Sequence, residues 1–314
     1  MDLVFCGTPQ FAVPTLEKLV GSGFRVRLVV TQPDRPRGRG QKSAASPVKL
    51  SAQALGLPVI EPETIKANDA LRAQLESLKP AAIVIVGYGR IVPPWMLSLA
   101  LAPFGNLNLH ASLLPKYRGA APLQWAIASG ETATGVTTMR INEGLDTGDI
   151  LLQKEIAIAP EDTAVTLASR LAPIGADLML ETLRGLEAGS ITPRPQDHSR
   201  ATLAPLLKKE DGRIDFARTA TEIANRLRGF QPWPGAFTTL RGKQLSVTAA
   251  TPAASAASAL APGTLAVEGE RLLAGCGGAT ALELLELQPE GRKRMPARDF
   301  LHGYHPRSGE RLGE

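Results

Sequence analysis

Over the first 190 residues the apolar positions come in short solid blocks, separated by stretches in which they recur at helical spacing. That alternation predicts strands followed by helices. LVFC at residues 3 to 6 is an apolar run ending at Gly7, and residues 14 to 20 then carry apolar side chains at helical spacing, with Pro14 suited to a first turn. RVRLVVT at 25 to 31 reads as a second strand, Ser46 and Pro47 as an N-cap and first helical residue, and PAAIVIVGY at 80 to 88 as a buried parallel-type strand. GNLNLH at 105 to 110 is a further strand, followed by a helix through Leu123 to Ala128. Together these predict an α/β domain with an open, mostly parallel sheet covered on both faces.

The pattern changes near Gly189. SITPRPQDHSRATLAPLLKKED, rich in Pro, Ser, Thr and charge, reads as an interdomain linker. Beyond it AFTTL, QLSVTAA, GTLAVEG and ALELLELQ alternate with turn residues, which predicts a small β-barrel or sandwich. AATPAASAASALAP, at 249 to 262, is a low-complexity loop within it. The expected division is 1–189, a linker at 190–207, and 208–314, which agrees with a 314-residue length that favours two cores.

Composition narrows the function class. The chain is 44% hydrophobic and 21% charged, no apolar run reaches membrane-spanning length, and MDLVFCGTP lacks a basic start and a small-residue cleavage site. A cytoplasmic protein without membrane contact is expected. Cys6 and Cys276 have neither the number nor the spacing for a zinc site or a disulfide framework, and no metal is expected. The first turn reads GTPQFA, with Pro9 where a dinucleotide-binding loop needs glycine, so the nicotinamide reading is set aside.

Candidate chemistry centres on His110, one of four histidines. In a strand Asn108 and His110 share a face while Leu107 and Leu109 take the other, so two polar groups stand together at a carboxyl end, where open α/β sheets bind ligands. EGLDTGDIL, at 143 to 151, adds Asp146 in a turn bracketed by Gly144 and Gly148. If an amine attacks a carbonyl, Asn108 and a protonated His110 can donate to the developing oxyanion. Asp146 can orient the imidazole and accept the proton that the amine loses. Acyl transfer then needs no Ser or Cys nucleophile.

Net charge is +5 with a pI near 9.4, and part of the excess is concentrated in PDRPRGRGQK at 33 to 42, with Arg35, Arg37, Arg39 and Lys42. Such a segment is either a solvated connection or, lying at the same sheet edge as the site, a cationic loop suited to an RNA acceptor stem. Arg226, Arg228, Arg292, Lys293 and Arg294 are further candidate phosphate contacts.

GNLNLHASLLPKYRGAAPLQWAIASGETATGVTTM followed by GLDTGDIL resembles the formyltransferases that use 10-formyltetrahydrofolate, and the N-x-H, SLLP and D-T-G-D elements occur in the same order. The resemblance runs from VFCGTPQFA to GRKRMPARDF. It implies a Rossmann-like N-terminal catalytic domain and a smaller C-terminal OB-like β-barrel that binds tRNA. It also implies catalytic roles for Asn108, His110 and Asp146. Folate would lie along Gly87, Tyr88, Gly89 and Ile91 and along Ser112, Leu113, Leu114 and Pro115. TQPDRPRGRG matches the loop of the members that formylate methionine on initiator tRNA, with Arg39 at the position of their key arginine. The implied reaction moves formyl from N10 of 10-formyltetrahydrofolate, a co-substrate rather than a tightly held cofactor, to the α-amino group of initiator methionyl-tRNA, on a monomeric enzyme. Gly87 stands where alanine is commoner, an exchange expected to matter little; Leu203 and Leu206 replace a usual Tyr and Lys. The alternative acceptor is a small amine such as a nucleotide-linked aminosugar, and a non-enzymatic RNA-binding scaffold is the alternative of another class.

Overall fold

The computed structural model describes residues 1–37, 42–100, 102–253 and 260–314, with backbone alone for 35–37, 42 and 43. They form two compact units. The first comprises Met1–Pro122, Ala133–Ala157 and Ala168–Pro205, the second Leu123–Thr132, Ile158–Leu167 and Leu206–Glu314. Residues 190–205, expected as linker, belong to the first unit, because backbone pairs such as Arg118 with Leu203 and Ile150 with Arg194 stitch them to it. Residues 123–132, expected in the first domain, group with the second unit.

In chain order the elements up to residue 187 are β1 (Asp2–Gly7), α1 (Val13–Gly21), β2 (Arg25–Val30), β3 (Arg35–Arg37), β4 (Lys42–Ala44), α2 (Pro47–Ala54), β5 (Val59–Ile60), α3 (Asp69–Leu78), β6 (Ala82–Val86), α4 (Pro94–Leu97), β7 (Gly105–His110), α5 (Pro122–Ala128), β8 (Ala133–Arg140), β9 (Ile150–Ala157) and α6 (Ala164–Glu187). The sheet of the first unit has the order β5-β2-β1-β6-β7-β8-β9, parallel as far as β7 and antiparallel at β8 and β9. The mostly parallel expectation therefore holds.

Both faces are buried, which is why the strands read as solid apolar blocks rather than alternating ones. Val4, Cys6, Leu28, Val30, Ile83 and Ile85 pack with Leu71 and Leu75 of α3 and Met96 of α4, while Leu3 and Phe5 are buried as well. Ser46 caps α2, its hydroxyl accepting from the Lys49 amide at 3.1 Å, and Pro47 supplies the preset φ of a first turn. Strand order reverses between β1 and β6, so the loops after those strands flank the crevice where doubly wound sheets take ligands.

The second unit adds α7 (Ala220–Gly229), β10 (Ala236–Leu240), β11 (Lys243–Pro252), β12 (Leu265–Glu268), β13 (Arg271–Cys276), β14 (Thr280–Pro289), β15 (Met295–Pro296) and α8 (Ala297–Tyr304). Its antiparallel sheet runs β10-β11-β14-β13-β12, with β15 on β14. Residues 309–313 join the two edges: Gly313 N–H donates to the Thr239 carbonyl at 2.9 Å, Leu312 N–H to that of Gly263 at 2.8 Å, and Leu265 N–H to that of Glu310 at 2.8 Å. Closing the edges satisfies backbone groups that an open sheet would leave bare, and it decides for the barrel over the sandwich. Leu245, Val247, Leu272, Leu282, Leu284 and Phe300 lie in its core.

Candidate active site

Asn108 and His110 end β7, between the parallel neighbour β6 and the antiparallel β8 (Ile85 opposite Asn108, Thr137 opposite His110). Leu109, on the opposite face, lies against Gly175 of α6. Alternation along the strand thus anchors one face in the core and turns the other toward the site.

His110 is 5% exposed, and both ring nitrogens are accounted for. Nε2 lies 2.8 Å from the Tyr117 carbonyl oxygen; a carbonyl only accepts, so Nε2 carries the hydrogen. Nδ1 is 3.6 Å from Asp146 Oδ2; with the ring neutral both atoms only accept, whereas an imidazolium at this distance is within ion-pair range. The same Oδ2 accepts the Gly119 N–H at 2.8 Å. Two non-glycine residues that make this geometry, Tyr117 at φ +61° and Asp146 at φ +49°, have left-handed backbone. Such conformations cost about 1–3 kcal/mol each and persist where the surroundings over-determine them.

The surroundings do so. Ser112 Oγ donates to the Lys116 carbonyl at 2.6 Å, Thr137 Oγ1 to the Ser112 carbonyl at 2.6 Å, and Gln153 Nε2 to the Leu114 carbonyl at 2.9 Å. From the far side, Tyr117 N–H donates to Thr202 Oγ1 at 2.8 Å, Arg118 N–H to the Thr202 carbonyl at 2.8 Å, and Ala204 N–H to the Arg118 carbonyl at 2.7 Å. Gly119 has φ +125°, and a Cβ there would stand 2.6 Å from the Ala204 carbonyl oxygen, so no other residue fits.

The expected folate positions divide by exposure. Tyr88, Ser112 and Leu114 are buried: Tyr88 packs with Cys6 and Met96, and Leu114 with Met139 and Ile150. They offer a ligand almost no surface. Gly87, Gly89 and Ile91 are exposed, Ile91 at 91%, and Leu113 and Pro115 are half-buried. The Tyr88 carbonyl accepts from Thr8 Oγ1 at 3.2 Å and Gln32 Nε2 at 2.7 Å, which ties the ends of β1, β2 and β6 together. Gly87 is not a neutral exchange: at φ +56°, a Cβ would lie 2.8 Å from Pro9 Cγ. Burial raises the Tyr88 phenol and pushes the Cys6 thiol up to about 12, so neither ionises near neutrality. Among the described residues no group of three or more His, Cys, Asp or Glu side chains could hold a metal ion.

The basic segment forms a small ribbon, Arg35–Arg37 antiparallel to Lys42–Ala44, while Arg39 lies outside the described residues. At its base Lys49 Nζ bridges Asp34 Oδ2 at 2.8 Å and Glu61 Oε2 at 2.7 Å. Arg226 and Arg228 are half-buried and have partners within the second unit: the Arg226 guanidinium lies over Phe230 at 4.8 Å and Trp125 at 5.7 Å, and Arg228 donates to the Asp162 carbonyl and Asn225 Oδ1, both at 2.7 Å. Arg292, Lys293 and Arg294 are exposed, Arg294 beside Glu286 at 3.3 Å.

Sequence reasoning gave no role to Tyr117, Arg118 and Gly119, although they lie in the quoted family segment, nor to Gln196 in the stretch read as linker; these residues fix His110 and Asp146. A histidine beside a carboxylate, with Asn108 two residues before it on the same strand face at the carboxyl end of a parallel sheet, suits stabilisation of an oxyanion with nearby proton acceptance.

Residues 1–183 match the formyl transferase family model and residues 206–305 that of the formyl transferase C-terminal domain. The methionyl-tRNA formyltransferase of Koribacter versatilis is 63% identical over 313 residues, covering 100% of this chain and 99% of the relative. That of Acidobacterium capsulatum is 60% identical over 313 residues, covering 100% of each. Among solved structures, the sugar 3N-formyl transferase WlaRD, crystallised in the presence of dTDP and 5-N-formyl-THF, superposes with a TM-score of 0.66 at 18% identity, over 93% of this chain and 99% of that one. HypX from Aquifex aeolicus in complex with tetrahydrofolic acid gives 0.62 at 19% identity, over 96% and 46%. At such identities the likeness is one of fold. With both family models matched in order and relatives aligned from end to end, the chain belongs to the formyltransferase family.

Proposed function

We propose that the chain transfers the formyl group of 10-formyltetrahydrofolate to the α-amino group of initiator methionyl-tRNA. The observation that carries this reading is the full-length alignment with methionyl-tRNA formyltransferases at 63% and 60% identity. The side chains at the end of β7 support it chemically. The neutral amine attacks the formyl carbon, a new C–N bond forms, and negative charge develops on the formyl oxygen. Asn108 Nδ2 and the Nδ1–H of a protonated His110 donate to that oxygen, a contribution of about 3–4 kcal/mol per well-placed donor in comparable acyl transfers. Asp146 accepts the proton of the attacking nitrogen. Collapse breaks the bond to N10, which takes up a proton and leaves as tetrahydrofolate.

In this reading folate lies against the exposed Gly87 and Gly89 and against Leu113 and Pro115, and is a co-substrate released each cycle. The basic segment 33–42, with Arg35, Arg37, Arg39 and Lys42, engages the acceptor arm, while Arg292 and Lys293 meet phosphates of the tRNA body. The enzyme acts in the cytoplasm as a monomer.

Incubation with 10-formyltetrahydrofolate and charged initiator tRNA is expected to give formylmethionyl-tRNA. No product with active donor present overturns the reading. Formylation of a nucleotide-linked aminosugar that survives Arg39→Ala would assign a small-amine acceptor instead, and salt-sensitive tRNA binding without turnover a non-enzymatic role.

A further inference from the structure

The turn that carries Asp146 is held by Gln196, which lies outside every motif noted above, and behind it by Arg118. Gln196 is 6% exposed; its Nε2 donates to the Asp146 carbonyl at 2.8 Å and to the Gly148 carbonyl at 2.7 Å. Its Oε1 accepts from Arg118 Nε at 3.1 Å and Nη2 at 2.6 Å. Arg118, 7% exposed, also lies with Nη2 3.1 Å from His198 Nδ1. A guanidinium only donates and backbone carbonyls only accept, so the Gln196 amide has a single orientation that satisfies all four contacts. Arg118 therefore sets which way Gln196 faces. His198 meets Arg118 only while its Nδ1 is unprotonated, since a guanidinium needs an acceptor.

This arrangement grips Asp146 through its own carbonyl and that of Gly148 two residues on, leaving the carboxylate to Gly119 and His110. The other side of the turn is held by Asn142, whose Oδ1 accepts from the Gly144 N–H at 3.1 Å and Thr147 Oγ1 at 2.8 Å, so that Gln196 supplies the contact at Asp146 itself, a left-handed residue. Reorientation of a reacting group by about 1 Å costs on the order of 100-fold in rate. From these contacts we propose that Gln196, oriented by Arg118, is a positioning residue that holds the Asp146 carboxylate against His110 Nδ1. The proposal rests on the formyl-transfer reading for the role of the carboxylate, not for the grip itself.

Gln196→Glu separates this role from simple packing. The side chain keeps its size, and the pairing with Arg118 gains a charge, so a role limited to satisfying Arg118 is preserved. The two carbonyls of the turn, however, then face an acceptor. The expected result is kcat lower by about 10- to 100-fold, KM for both substrates within about threefold, and a thermal midpoint close to that of the unaltered chain. The Gly119 amide, protected by Asp146, is expected to exchange its hydrogen about tenfold faster or more. In an Asp146→Asn background the same substitution is expected to add almost no further loss of kcat, because its effect passes through that carboxylate. Arg118→Lys, which keeps the charge but lacks the fork that orients the amide, serves as the second variant and is expected to show the same kinetic and exchange pattern, more weakly. Unchanged Gly119 exchange in both variants, or kcat within twofold of the unaltered chain, overturns the proposal. Exchange is read without any substrate, so it stands or falls apart from the identity of the acceptor.

Discussion

His110 donates its Nε2–H to the carbonyl of Tyr117, 2.8 Å away, on a residue held at φ +61°. The strained residue thereby selects the tautomer of the ring and leaves Nδ1 as the nitrogen that can act. His110→Gln tests this, because the Gln amide can reach the same carbonyl but offers nothing in place of Nδ1. We expect kcat to fall by about 10²- to 10⁴-fold with little change in thermal midpoint. Steady-state kinetics beside a melting curve decide it, and near-normal turnover would remove His110 from the chemistry.

Asp146→Asn deletes charge alone. The amide oxygen can still accept the Gly119 N–H, and Asn tolerates the φ of +49°. Unfolding free energy is expected within about 1 kcal/mol of the unaltered chain, with turnover reduced at least about 100-fold. Denaturant titration and single-turnover assays give the two numbers, and a loss of stability matching the loss of rate would mark Asp146 as structural.

Gly87→Ala looks innocuous in sequence but not in place. With φ +56° and the Pro9 ring 2.8 Å from the new Cβ, a cost of about 1–3 kcal/mol is expected in urea titration. A neutral or stabilising result would show that the loop after β6 has room to shift.

Cys6 and Cys276 are buried, and burial pushes them up to about 12 and about 11 respectively. Folded values above the ordinary thiol value mean that this contribution is complete below about pH 8.5 and is lost as pH rises toward the folded values. A colorimetric thiol reagent at pH 8 is expected to label neither cysteine in the native protein and both after unfolding. Rapid labelling of Cys276 alone would show that the barrel opens independently.

The architecture was legible because both of its signals are local. Solid blocks such as AIVIV announced two-sided burial, and Ser46 before Pro47 announced a helix start. The pair Asn108 and His110 was legible for the same reason, since period-two alternation places them together without knowledge of any other segment. What held them was not. Gln196 sits in a Pro-rich stretch read as linker, and nothing in its neighbours signals that its amide meets a turn 50 residues earlier. Arg226 shows the same limit from another side: its charge is plain in the sequence, but its place over two aromatic rings is not. Formal charge is visible in a sequence, but desolvation and stacking are properties of the fold.

The stitching of residues 194–204 onto the turns around residues 118 and 150 bears on how the enzyme could be divided. The first family model ends at residue 183, and an excised fragment ending there would contain the whole sheet and all of the motif residues. It would nevertheless lose the Thr202, Ala204 and Gln196 partners of residues 117–119 and of the Asp146 turn, and even a cut after Pro205 would part residues 123–132 and 158–167 from the unit they group with. During synthesis the same dependence sets an order: His110 and Asp146 leave the ribosome well before Gln196, Thr202 and Ala204, the partners that fix the turns around them.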